Sequence, residues 1–239
     1  MPTATPEPTA TPTATPAPTP IVRENEDLKY KILDGKVTIL SYKKYYQEYH
    51  LPGEIDGYPV VAIGSYAFAG NEELRVLTIP DSVETIGEAA FKSCIWLQNF
   101  TLPSRLTSIS NGLFTGCESL TEITVPAGVT SIGYRSFKYC VGLKTIHLPE
   151  GLDGIGAEAF MDCRRMKQVD IPDSVTSIGY TAFYGCRELE AMRFGPGSRL
   201  NDIGNGILAN CEAVTVTAPS GSPMRSYCEQ NGIPFVAVD

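Results

Sequence analysis

Phenylalanine recurs at an interval of 23 residues, at Phe68, Phe91, Phe114, Phe137, Phe160 and Phe183. Leu208 continues the series after 25 residues, the two additional ones falling around "RFGPGSRL". A period of this length implies stacked copies of one unit, which excludes most other architectures. Other columns keep step. Three residues after each anchor stand Cys94, Cys117, Cys140, Cys163, Cys186 and Cys211, with Asn71 in the first unit. Leucine or methionine follows at the sixth position, from Leu74 to Leu189, and an apolar pair at the ninth and eleventh, such as Ile123 and Val125. Isoleucine lies five residues before each anchor, from Ile63 to Ile203, and glycine follows it everywhere except at Ser110.

One unit therefore reads as a coil. "LxxIxIP" spaces its apolar residues as a short strand with one buried face, which the proline closes. "VxxIG" is a second extended piece, and its glycine permits a sharp turn. "xxAFxxC" is long enough for one helical turn, with Phe and Cys three apart on one side. So few apolar side chains cannot be enclosed by 23 residues alone. Stacking buries them between neighbours, and the chain reads as a solenoid. The cysteines then form a parallel column. Their Cβ atoms would lie about 4.8 Å apart, where a disulfide needs about 3.8 Å. Metal binding needs ligands that converge, and catalysis needs an exposed thiolate beside a base. Six buried, inert thiols acting as small hydrophobes are expected. Cys228, in "PMRSYCEQNGIPF", lies outside the column and reads as a free thiol rather than a partner for Cys211.

The columns resemble the BspA-like class of bacterial leucine-rich repeats, the type also found in Treponema pallidum. The likeness is strongest in "LKTIHLPEGLDGIGAEAFMDC" (143–163) and "MKQVDIPDSVTSIGYTAFYGC" (166–186). It implies a right-handed leucine-rich-repeat array of 23-residue coils, a parallel sheet on the concave face and short helical turns on the convex side. A β-hairpin N-cap and a helix–strand C-cap complete it. The expected organisation is a Pro/Thr-rich linker over 1–22, the N-cap over 23–59, repeats over 60–214 and the C-cap over 215–239. Irregularity is expected at "ISNGLFTGC" (109–117), a bulged loop at Gly195-Pro196-Gly197, and a shortened last strand in "VTVTAP" (214–219). Members of this family are typically secreted or surface-displayed and associated with adhesion. The resemblance thus implies a non-catalytic protein-binding module at the cell surface. A carbohydrate-binding accessory module and a structural spacer are the alternatives.

Composition narrows the partners. A net charge of −8 argues against nucleic acid, whose phosphates need clustered Lys and Arg. No apolar stretch approaches the roughly 18 residues of a membrane span, so no membrane insertion is expected. "PTATPEPTATPTATPAPTP" (2–20) favours extended polyproline II, at about 3.1 Å per residue, and suits a stalk between modules. Met1 leads straight into Pro and Thr, so any export signal is expected to have been removed or to belong to a longer chain.

Candidate binding residues are the outward ones of the strand. Thr78, Thr101 and Thr124 form a threonine lane, followed in the same column by His147, Asp170 and Arg193, with Lys144 and Lys167 three residues before His147 and Asp170. A charged patch on a rigid sheet can position hydrogen bonds and steer a partner. His147 beside Asp170 lacks the nucleophile of a catalytic triad. Glu122 and Asp170 lie two coils apart, without the cleft of a glycosidase pair. No catalytic, cofactor-binding or metal-binding residue is assigned. Trp96 falls where other coils carry mostly small or charged residues and is expected to be partly exposed, as an interface anchor or packed on a neighbouring loop. Tyr134, Tyr139, Tyr180 and Tyr184 cluster on one edge, and "YKKYYQEYH" (42–50) adds four tyrosines. Such aromatics suit protein and polysaccharide alike.

Overall fold

The computed structural model describes residues 19–238. Most of the stretch assigned to the linker lies outside the described residues. Its last two positions already belong to the strand Ile21–Glu24, which pairs antiparallel with Leu28–Leu33. Leu28–Leu33 and Lys36–Tyr42 form a hairpin across Asp34-Gly35, both at positive φ as a two-residue I′ turn requires. Lys36–Tyr42 then pairs parallel with Tyr58–Ile63, so the hairpin hands its edge to the first coil.

Two runs of parallel strands follow, both stacked coil on coil. The longer strands begin with Glu48–His50 on Val76–Thr78 and Asn99–Phe100, then Glu122–Thr124 on Thr145–His147. Gln168–Ile171, Ala191–Phe194, Thr215–Pro219 and Phe235–Val238 complete this run. Thr215–Pro219, expected to be short, is the longest strand of the run at five residues, because Phe235–Val238 pairs along it and extends the ladder. The second run carries the "VxxIG" pieces, with Ile109, Ile132, Ile155, Ile178 and Ile203 in register. After each isoleucine the glycine N–H bonds the isoleucine carbonyl one coil back, as from Gly179 to Ile155 at 2.8 Å. A Cβ on Gly179 would lie 2.4 Å from the Ala157 nitrogen, which is why the column is glycine. At Ser110 the hydroxyl bonds the Ile86 carbonyl instead, and the strand pairing breaks there.

The third side of the coil is not helical. Among the described residues the one α-helix is Pro223–Asn231, which follows the strand Thr215–Pro219, so the expected convex helical turns are corrected. Each coil places two residues at positive φ, two before and two after the anchor: Tyr66 and Gly70, Ala89 and Ser93, Gly112 and Gly116, and onward to Gly206 and Asn210. With these two residues turned, successive amides along the side fall alternately into two sets. Some close three-residue turns, such as Cys94 N–H to Phe91 O at 3.2 Å; the others bond the next coil, such as Phe91 N–H to Leu113 O at 3.0 Å. A helix would point every N–H along its own axis and leave the coils unlinked.

The core lies between these three ladders. The phenylalanine rings stack at centroid spacings of 5.0–5.5 Å from Phe68 to Phe183, with Tyr42 closing the N-terminal end at 5.0 Å. At the other end Pro223–Asn231 is capped by Ser222, which accepts from Met224 N–H, and packs Met224 and Cys228 against the last coil.

Candidate functional site

Side chains alternate along the longer strands, so Ile123, Ile146, Val169 and Met192 are buried while Thr124, His147, Asp170 and Arg193 face outward. His147 Nε2 meets Glu122 Oε1 on the preceding coil at 3.2 Å, and makes no hydrogen bond to Asp170. Arg193 donates to Asp170 Oδ1 at 3.3 Å and to Gln168 Oε1 at 3.2 Å. His147 and Asp170 share the lining of a depression of about 330 Å³ with Glu150 and Asp173. Lys144 and Lys167 are exposed, and neither ammonium has an ion pair among the described residues. Ion pairs this exposed contribute about 0–1 kcal/mol, so the patch does not hold the fold together. Trp96 sits apart, 45% exposed, with the Arg75 guanidinium 5.4 Å from its ring.

The turn side holds a larger depression, of about 540 Å³. Its floor is small: Ala89 and Ser93 in one coil, Gly112 and Gly116 in the next. Tyr66 walls one side, and Arg135 and Tyr139 wall the other. All three wall residues occupy the positive-φ columns, at 59°, 56° and 61°. That conformation carries about 1–2 kcal/mol for a residue with a Cβ. Glycine fills five of the fourteen such positions, so the backbone's own preference is plain.

Behind the Arg135 wall lies a buried carboxylate. Glu158 accepts two hydrogen bonds from Arg135, at 2.9 and 3.0 Å, one from Lys138 at 2.6 Å and one from the Tyr134 hydroxyl at 3.1 Å. The Arg135 hydrogen bonds, with those of Lys138 and Tyr134, hold its carboxyl down at about 2 against the burial that opposes them. The Arg135 guanidinium lies 4.5 Å from the Tyr134 ring centre, and Lys138 Nζ lies 5.0 Å from that of Tyr139. The wall is therefore fixed before any ligand arrives.

Comparison with known proteins decides the lineage. The BspA-type leucine-rich-repeat model matches in six copies, over residues 57–166 and 153–228. The chain belongs to that family. No curated protein matches significantly. Among solved structures, the Treponema pallidum leucine-rich-repeat protein is 25% identical, with a TM-score of 0.53, over 91% of this chain and 99% of the other. A leucine-rich cell surface protein from Faecalibacterium prausnitzii is 21% identical, with a TM-score of 0.49, over 83% and 76%. A Bacteroides ovatus leucine-rich-repeat protein is 17% identical, with a TM-score of 0.45, over 91% and 100%.

In this BspA-type array the cysteine column does more than fill space. Each thiol donates to the carbonyl of the phenylalanine one coil back, at 3.1–3.3 Å, from Cys94 on Phe68 to Cys211 on Phe183. Asn71 performs the same task in the first coil, its amide donating to Lys44 O at 2.8 Å. Burial pushes the thiols up, Cys94 to about 12 and the partly exposed Cys211 to about 11. All seven cysteines, Cys228 included, are free.

Sequence reasoning placed Tyr134 and Tyr139 on this edge but missed Tyr66, Arg135, Lys138 and Glu158. A signal existed. The columns two before and two after the anchor hold Gly70, Gly112, Gly116, Gly185 and Gly206, and bulky residues there stand against the column.

Proposed function

We infer that the chain is a non-catalytic, extracellular protein-binding module whose contact surface is the strand side, centred on Lys144, His147, Lys167, Asp170 and Arg193. The observation that carries this reading is the pair of ammonium groups, Lys144 and Lys167, without ion-pair partners among the described residues and held on adjacent coils of a rigid parallel sheet. Solenoids offer such extended surfaces to partners, and a local cation cluster on a chain of net charge −8 selects an acidic patch. Display outside the cell agrees with the Pro/Thr segment, as a stalk. Burial keeps the column thiols protonated and unreactive, so they do not oppose that location.

The test is interferometry of the immobilised protein against extracellular matrix and bacterial surface proteins. A partner should associate faster at low salt, and Lys144→Glu with Lys167→Glu should slow association by about tenfold or more. Equal rates for wild type and the double variant would remove the strand side from the interaction.

A further inference from the structure

The depression between Tyr66 and Tyr139 serves neither the core nor the strand side. We propose that it is a second binding site, for a short segment of a neutral polysaccharide. Tyr66, Arg135 and Tyr139 all stand where the backbone favours glycine, yet Tyr66 is 56% and Tyr139 43% exposed. Bulky groups kept in a strained conformation without being buried point to a task at the surface. They flank the two coils that carry only small residues at the same columns. The gap between the walls therefore spans coils whose rings step by 5.4–5.5 Å. Its volume of about 540 Å³ lies within the range of small-ligand sites.

Three features select a sugar. The tyrosine rings give flat π faces on which the C–H face of a pyranose can lie. Around them stand the Ser93 hydroxyl, the Asn111 NH2 group, the Thr115 hydroxyl oxygen, whose proton goes to Arg135 O, and the Lys92 ammonium, which has no ion pair among the described residues; these can bond sugar hydroxyls. The lining cations Lys92, Arg135 and Lys138 are balanced by Glu88 and Glu118 on the rim and Glu158 behind the wall, so a charged ligand is not favoured.

A peptide fits less well. The floor amides are already spent: Ala89 N–H bonds Asn111 O at 2.9 Å and Gly112 N–H bonds Tyr134 O at 2.7 Å. No free edge remains for strand addition. Ala89 and Ile95 are the only aliphatic side chains in the lining, too few for the apolar socket of a peptide anchor.

Calorimetric titration with cellotetraose, mannotetraose, chitotetraose and, as the acidic counterpart, tetragalacturonic acid tests the proposal. At least one neutral tetrasaccharide should bind with Kd below about 1 mM, and the acidic one about tenfold more weakly. Tyr66→Gly and Tyr139→Gly should each weaken binding by about tenfold or more while thermal midpoints hold or rise, since glycine relaxes the backbone there. Lys92→Ala, which leaves no ion-pair partner behind among the described residues, should weaken binding several-fold, and Lys144→Glu with Lys167→Glu should leave it unchanged. Four results would overturn the site: no neutral tetrasaccharide binding with Kd below about 1 mM, full binding by both glycine variants, midpoints that drop with the tyrosines, or peptide-library binding that depends on the same tyrosines.

Discussion

On the strand side the chain is extended, and the outward column runs through threonine, histidine, aspartate and arginine with little consequence for the backbone. On the turn side fourteen residues sit at φ of 50–75°, and there the identity of each residue carries an energetic sign. Variation on the first side is therefore weak testimony about function, because any side chain of good β propensity will serve. A bulky residue on the second side is stronger testimony, because glycine would be more stable. The strand-side patch rests on charges to which the extended backbone is indifferent. The turn-side groove rests on residues the fold would not choose for itself.

Both sides hang on one ring stack, and removing a ring gives the largest expected effect. Phe137 lies between Phe114 at 5.4 Å and Phe160 at 5.3 Å, fully buried. Phe137→Ala should cost about 3–5 kcal/mol in urea unfolding. In a nearest-neighbour stack the gap also uncouples the coils before it from those after it, so the m-value should fall. A loss below about 1 kcal/mol would mean that the hydrogen-bond ladders, rather than the rings, join the two sides.

The second effect belongs to the turn side. Glu158→Gln removes the charge that holds Arg135 and Lys138, and should cost about 1.5–3 kcal/mol at neutral pH. The pH dependence has a defined sign. The Glu158 carboxyl is held at about 2 in the folded chain against an ordinary 4.5, so its contribution is fully present above about 4.5. It is lost as pH falls through about 2, so the difference between wild type and variant should close over that window. A gap that stayed constant down to pH 2 would contradict the buried pairing.

The same contrast explains what could be read in advance. The ring and isoleucine columns were legible because burial demands apolar residues and stacking repeats the demand at every coil. The outward strand residues were legible by alternation alone, which located Lys144 and Arg193 but could not say that His147 would choose Glu122. The turn side was misread as helical because Phe and Cys three apart suit a helix and a chain of three-residue turns equally. Its positive-φ columns were masked by Ala89, Arg135, Glu158 and Thr181, which accept the conformation at some cost. The thiols were read as apolar because a weak S–H donor matters only once a carbonyl is placed opposite it, and that carbonyl belongs to the preceding coil.

The smallest effects test the two rules most directly. Gly70 sits at φ 71° with open space where a Cβ would project, so Gly70→Ala meets no clash and isolates the backbone penalty. It should cost about 1–2 kcal/mol. Thr145 is its opposite: exposed, in an extended strand, with no side-chain partner among the described residues. Thr145→Val keeps the β-branch and should shift stability by no more than about 0.5 kcal/mol. If the two substitutions proved equal, the turn side would be as permissive as the strand side. Tyr66 and Tyr139 would then need no special account, because a coil that holds alanine freely at φ 71° holds tyrosine there at no penalty that function must offset.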